Sequence, residues 1–147
     1  IFEPHPTKRT ISNAMDVSEP SNFVRIQKIY NNDLQKLRKN ISGFCFDDKS
    51  TKEAIRSLFS SNDYLSDPHS AVGYLGLKKY MAINNIENIN GIFISTAHSI
   101  KFKDVVENAI NTNISYPKAI KDIMDKEKES SSIENYSELK EYLLQRN

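Results

Sequence analysis

Ser95-Thr96-Ala97-His98 is the best local candidate for chemistry in this chain. It follows the apolar run Gly91–Ser95 and precedes a helical stripe of Phe102, Val105, Val106, Ala109 and Ile110. A strand-to-helix junction offers free backbone N–H groups and the positive end of a helix dipole to an anionic ligand. The alternative is that Ser95 and Thr96 merely cap the helix. Lys101 and Lys103 come next, where the dipole disfavours cations, which hints at an anionic ligand. For Lys103, a solvated lysine screened by Asp104 is the better reading. His69 follows Pro68 at a helix start, where capping or packing is favoured over a catalytic imidazole. Ser12-Asn13-Ala14-Met15-Asp16 is a dense polar string which, taken alone, is an ordinary Asx turn. Cys45 lies between Phe44 and Phe46, and buried packing is its expected role. His5, His69 and His98 show no metal-ligand spacing, and there is no glycine-rich phosphate loop, GxSxG or specific carboxylate pair.

The elements that position these residues follow from hydrophobic spacing. Pro4 and Pro6 favour extended chain at the start, and Thr10-Ile11 reads as a short strand. Phe23, Ile26, Ile29, Tyr30, Leu34 and Leu37 predict one helix over about 21–39. Phe44-Cys45-Phe46 suits a strand. Ser50-Thr51-Lys52-Glu53 has the form of a capping box, with Ala54, Ile55, Leu58 and Phe59 as the stripe behind it. Asp67-Pro68 predicts an N-cap followed by proline at the first helical position, with the helix running to about Met81. Gly91–Ser95 reads as a strand buried on both faces. Pro117 starts another helix, residues 126–132 form a charged, serine-rich link expected to be mobile, and Ser137 caps a last helix. Helices alternating with strands predict an α/β fold, a small parallel sheet flanked by helices. So small a sheet leaves edges exposed, which suggests part of a larger unit.

The 147 residues fit a single domain. A net charge of +1 provides no positive excess to drive nonspecific binding to nucleic acid or an anionic membrane. No apolar run approaches the roughly 20 residues a membrane helix needs. The single cysteine rules out an internal disulfide and a cysteine-built zinc site, and fits a reducing, cytoplasmic compartment.

Three strings carry a resemblance. They are Thr10-Ile-Ser-Asn-Ala-Met-Asp-Val17 with Pro20-Ser-Asn-Phe-Val-Arg25, then Asp67-Pro-His-Ser-Ala-Val-Gly73, then Ser95-Thr-Ala-His-Ser-Ile-Lys-Phe102. In this order and spacing they resemble the C-terminal part of the threonine synthase family, pyridoxal-phosphate enzymes of the tryptophan-synthase β-like fold. The resemblance covers nearly the whole chain and weakens beyond about Tyr116. Two departures are Ser99, where the family commonly has proline, and Phe23-Val24, where it has tryptophan-proline.

The resemblance implies conversion of O-phosphohomoserine and water to threonine and phosphate, with pyridoxal phosphate as cofactor. It implies that residues 1–115 are the C-terminal part of the cofactor-binding domain and 116–147 a helical extension. The family's Schiff-base lysine lies in a segment upstream of those matched here, and no lysine of this chain sits in a matching motif. The expectation is therefore a C-terminal portion that is inactive by itself and is completed by the N-terminal part of the same polypeptide. Thr96 falls where the family places a hydroxyl against the cofactor's pyridine nitrogen. Ser95 and Asn13 are further candidates for the cofactor, and Lys101, Asp16 and His69 for the substrate. The competing reading is a free-standing α/β module that binds a small anion without catalysis.

Overall fold

The computed structural model describes residues 6–12, 16–18 and 20–145. The chain divides into two compact units, Ile1–Ile114 and Ser115–Asn147.

The first unit opens its helical part with α1 (Phe23–Ile29) and α2 (Leu34–Asn40). These replace the single helix expected over 21–39. Asn31 and Asn32 both adopt left-handed backbone, with φ of 51° and 57°. Asparagine tolerates that region, and two in succession end α1. Asp33 then restarts the helix, its carboxylate accepting from the Lys36 N–H at 2.9 Å.

α3 spans Asp48–Asn62. Its cap is Asp47, which accepts from the Ser50 N–H at 2.8 Å, so the helix starts earlier than a Ser50 capping box requires. Asp63, at φ 51°, closes it. α4 spans Pro68–Ile83 and begins as expected, with Asp67 as N-cap and Pro68 in the first turn. A 3₁₀ turn at Ser99–Phe102 leads into α5 (Lys103–Ile110).

α3 packs against both α4 and α5. The core is Ala54, Ile55 and Leu58 from α3, Ala71 from α4, and Val106, Ala109 and Ile110 from α5. Phe59, Leu65, Tyr74, Leu75, Phe102 and Ile114 pack around it. The Arg56 side chain, on the outer side of α3, donates to the Ala109 carbonyl at 2.9 Å and satisfies an orphan acceptor in the last turn of α5.

The expected α/β fold does not form. Among the described residues there is no β-strand, and all regular structure is helical. Thr10-Ile11, Phe44–Phe46 and Gly91–Ser95 are all non-helical, but none joins a ladder. The physical reason is that a strand exists only through pairing, and apolar, β-branched composition supplies propensity without a partner. What remains is alternation of faces. Phe93 packs edge-on to Tyr64 and Tyr74, at ring separations of 5.9 and 5.6 Å. Its neighbours Ile92 and Ile94 are 86% and 74% exposed, so this segment is not buried on both faces. Phe44 and Phe46 likewise turn inward beneath the Lys79 ammonium, while Cys45 between them is exposed rather than packed. Both segments lie over the glycine face of α4 and line a groove of about 520 Å³. A side chain at Gly91 would collide with Leu77, whose Cδ2 lies 2.6 Å from the site of an added Cβ.

Glu107 fastens the exit from α5. Its Oε1 accepts from the Lys103 ammonium one turn earlier and from the Ile114 N–H at 2.8 Å. Lys103 is thus paired along its own helix with Glu107. The Lys103 hydrogen bond, then the Ile114 N–H, hold the Glu107 carboxyl below its ordinary value of 4.5. A carboxylate whose pKa is depressed in the fold stabilises it above the unfolded value and loses that contribution as pH falls through the folded value. Amide exchange at Ile114 is therefore expected to show loosening below about pH 4.5, and Glu107→Gln to remove that acid dependence. An acid response unchanged in the Gln variant would assign the loosening to another carboxylate.

The second unit holds α6 (Lys118–Met124) and α7 (Tyr136–Leu144), neither with a buried residue. Asn135, not Ser137, caps α7, accepting from the Glu138 N–H at 3.1 Å.

Candidate functional site

Two of the three strings meet in space. Asp67–Gly73 forms the start of α4, and Ser95–Phe102 runs past it. The His69 ring stands edge-on to Phe102 at 5.6 Å, and the Phe93 Cβ lies 4.0 Å from where a side chain at Gly73 would begin.

The Ser66–Ser70 segment is a buried polar cap. Ser66, Asp67 and Ser70 are all about 1% exposed or less. Asp67 Oδ1 accepts from the His69 N–H at 2.9 Å and the Ser70 N–H at 3.3 Å, and Oδ2 accepts from the Ser70 hydroxyl. Ser66 Oγ donates to the Asp67 carbonyl at 2.9 Å. His69 itself is exposed, and its ring packs against Phe102.

In the third string the caps fall elsewhere than on Ser95 and Thr96. His98 is the N-cap of the 3₁₀ turn, its Nδ1 accepting from the Ile100 N–H at 3.1 Å. Ser95 Oγ reaches only the Ala97 carbonyl, at 3.5 Å. Thr96 is exposed, and its hydroxyl makes no hydrogen bond among the described residues. Lys101 is exposed and close by in sequence. Sequence reasoning missed the role of His98, because imidazole is not among the side chains that usually cap helices. The only available signal was its place immediately before the helical stripe.

In the first string, Pro20–Arg25 leads into α1 and the Thr10 end is held by carboxylates. Asp16 accepts from the Thr10 N–H at 3.0 Å through Oδ2 and from the Thr10 hydroxyl at 2.9 Å through Oδ1. The Ile11 N–H donates to Asp48 at 3.2 Å, tying the loop to the start of α3. Both Asp16 oxygens are therefore engaged by Thr10, one by its backbone N–H and one by its hydroxyl. Asn13 lies outside the described residues.

The Thr96 hydroxyl thus lies on an exposed segment without a hydrogen-bond partner among the described residues, while the buried Asp67 carboxylate caps α4. Comparison with known proteins identifies the family. Residues 70–143 match the family described as threonine synthase, C-terminal, and the chain belongs to that family. It is 36% identical over 149 residues to the threonine synthase of Buchnera aphidicola from Acyrthosiphon pisum, covering 99% of this chain and 33% of the relative. Against the threonine synthase of Escherichia coli K12 it is 33% identical over 124 residues, covering 84% of this chain and 28% of that protein. The crystal structure of E. coli threonine synthase superposes with a TM-score of 0.73, covering the whole of this chain and 33% of that one. The chain thus spans about a third of the length of the curated relatives it matches. No helix among the described residues is long and apolar enough to cross a membrane.

Proposed function

We propose that this chain forms one wall of the cofactor site of a threonine synthase, an enzyme that converts O-phosphohomoserine and water to threonine and phosphate. In this reading residues 1–115 belong to the cofactor-binding domain, and the remaining two thirds of the relatives' length supplies the other walls and the reactive lysine. The enzyme works in the cytoplasm. A threonine synthase of Brucella melitensis, with a TM-score of 0.62 and 24% identity, is described as bound to pyridoxal phosphate (PLP).

The carrying observation is the uncommitted Thr96 hydroxyl. The residues present fit PLP at this one point: a neutral hydroxyl on an exposed segment suits a ring nitrogen. PLP, when bound, supplies the electron sink for the reaction. Thr96 holds the ring nitrogen by one hydrogen bond without a charge that would fix a proton there. Lys101 adds positive potential towards the substrate phosphate. Ser95 stands next in line for the same ring contact, and Asn13 for a more distant one. His69 orients the turn through Phe102 and offers its ring to the substrate side. The Thr10 loop takes up both oxygens of Asp16, which makes it the weakest of the substrate candidates.

The test is phosphate and threonine formation from O-phosphohomoserine by the protein in its full-length form, with Thr96→Val and Thr96→Asp beside it. Valine is nearly isosteric and removes a hydrogen bond typically worth about 0.5–1.5 kcal/mol, so PLP affinity should fall a few-fold and turnover should slow. Aspartate should shift the ratio of threonine to elimination product. Wild-type rate, affinity and product ratio in both variants would remove Thr96 from the site. Absence of threonine formation by the unmodified protein would remove the reading altogether.

A further inference from the structure

We infer that His98 is a positioning residue for Thr96, acting through the neutral imidazole cap of the 3₁₀ turn. This rests on the Thr96 reading above. Thr96 sits on a short span between two anchors. The upstream anchor is Phe93, held between the rings of Tyr64 and Tyr74. The downstream anchor is the turn that starts at Ser99, which is only 5% exposed. Of residues 94–98 only Ala97 is half-buried and the rest are exposed, so packing alone does little to fix them.

His98 supplies what packing does not. Its backbone is extended, at φ −77° and ψ 137°, which turns the chain from the exposed span into the 3₁₀ turn. Its carbonyl accepts from the Lys101 N–H at 3.0 Å, and its ring Nδ1 accepts from the Ile100 N–H at 3.1 Å. One residue therefore closes the first hydrogen bond of the turn and satisfies the orphan Ile100 donor beside it. Accepting at Nδ1 places the ring proton on Nε2, because a neutral imidazole has one donor and one acceptor nitrogen. The ring direction, the His98 backbone and hence the path of the two residues back to Thr96 are fixed together. Ser99 makes this dependence stronger. Proline at the first helical position would preset φ there and, with His98 at ψ 137°, would be sterically compatible, whereas serine leaves the φ restraint to the cap.

The experiment compares His98→Ala, His98→Asn and Thr96→Val in the full-length protein. Asparagine can place its side-chain oxygen where Nδ1 stands and still accept from Ile100. ¹⁵N shifts of the His98 ring in the unmodified protein should show an unprotonated Nδ1. Amide exchange at Ile100 should quicken roughly five- to tenfold in His98→Ala, as loss of a cap implies, and stay near wild type in His98→Asn. PLP affinity and its ring-nitrogen spectral signature should weaken in His98→Ala in the same sense as in Thr96→Val, and recover in His98→Asn. A protonated Nδ1, unchanged Ile100 exchange in His98→Ala, or an asparagine variant as poor as alanine would overturn the role of His98 while leaving Thr96 in the site. An unchanged PLP signature in Thr96→Val, with the exchange effects intact, would instead overturn the Thr96 reading and with it the purpose of the positioning.

Discussion

Ile55→Ala is expected to destabilise the first unit by about 2–5 kcal/mol, read as a fall in the urea midpoint at constant slope. Ile55 is fully buried on α3, the helix that packs against both α4 and α5. Of the other residues in its core cluster, Ala71, Val106 and Ala109 are also fully buried, and two of them are alanines. Alanines fix the approach of helix backbones and cannot reach across to fill a cavity. The site should therefore collapse poorly when the branched side chain is lost, which places the cost towards the upper end of the range. Ile55→Val should cost about 0.5–1.5 kcal/mol. A shift for Ile55→Ala below about 1 kcal/mol would mean that the three helices close over the gap more freely than their small residues allow.

Asp67→Ala is expected to cost about 3 kcal/mol, more than an ordinary cap. A solvent-exposed cap is worth roughly 1 kcal/mol because water replaces the lost acceptor. Asp67 is 1% exposed, and water cannot easily take over. The two N–H groups and the Ser70 hydroxyl that it serves would be left in a closed site. Asp67→Asn keeps an acceptor for the backbone and should recover more than half of the loss. Thermal unfolding of both variants measures this. If alanine and asparagine were equally costly, the charge at the start of α4 would matter more than the hydrogen bonds. If neither moved the midpoint, the capping geometry would contribute nothing net.

These two positions also mark what was legible in the sequence. The stripe Ala54-Ile55-Leu58 and the Asp67-Pro68 start could be read directly, because each is a local rule with a local cause. The single helix over 21–39 failed at Asn31-Asn32-Asp33. The apolar spacing continues across that point, so periodicity alone could not register two left-handed residues. Helix starts near Ser50 and Ser137 were assigned to the wrong side chain, with Asp47 and Asn135 the true caps. Competing polar residues within three positions leave that choice to geometry. The strand at Gly91–Ser95 failed for a different reason. Its composition records a preference for pairing, and pairing is a property of two segments.

The site was legible mainly through the order and spacing of three strings. The sequence brought Thr96 forward, and nothing within it could show that His98, two residues on, would take the cap and leave the threonine uncommitted. Nor could it show that both oxygens of Asp16 would be absorbed by Thr10. A polar string has the same composition whether it serves a ligand or its own loop.

Phe93 faces inward while Ile92 and Ile94 face outward, with no ladder partner among the described residues. Seen from another molecule, that segment is a template: apolar side chains in register beside backbone groups ready to pair. Natural proteins blunt such edges with lysine, proline or a bulge, and Gly91-Ile-Phe-Ile-Ser95 contains none of these. With a net charge of only +1, there is little mutual repulsion to keep copies apart. Self-association at high concentration is thus expected to draw on this segment, and a charge introduced at Ile92, which is 86% exposed, should reduce it.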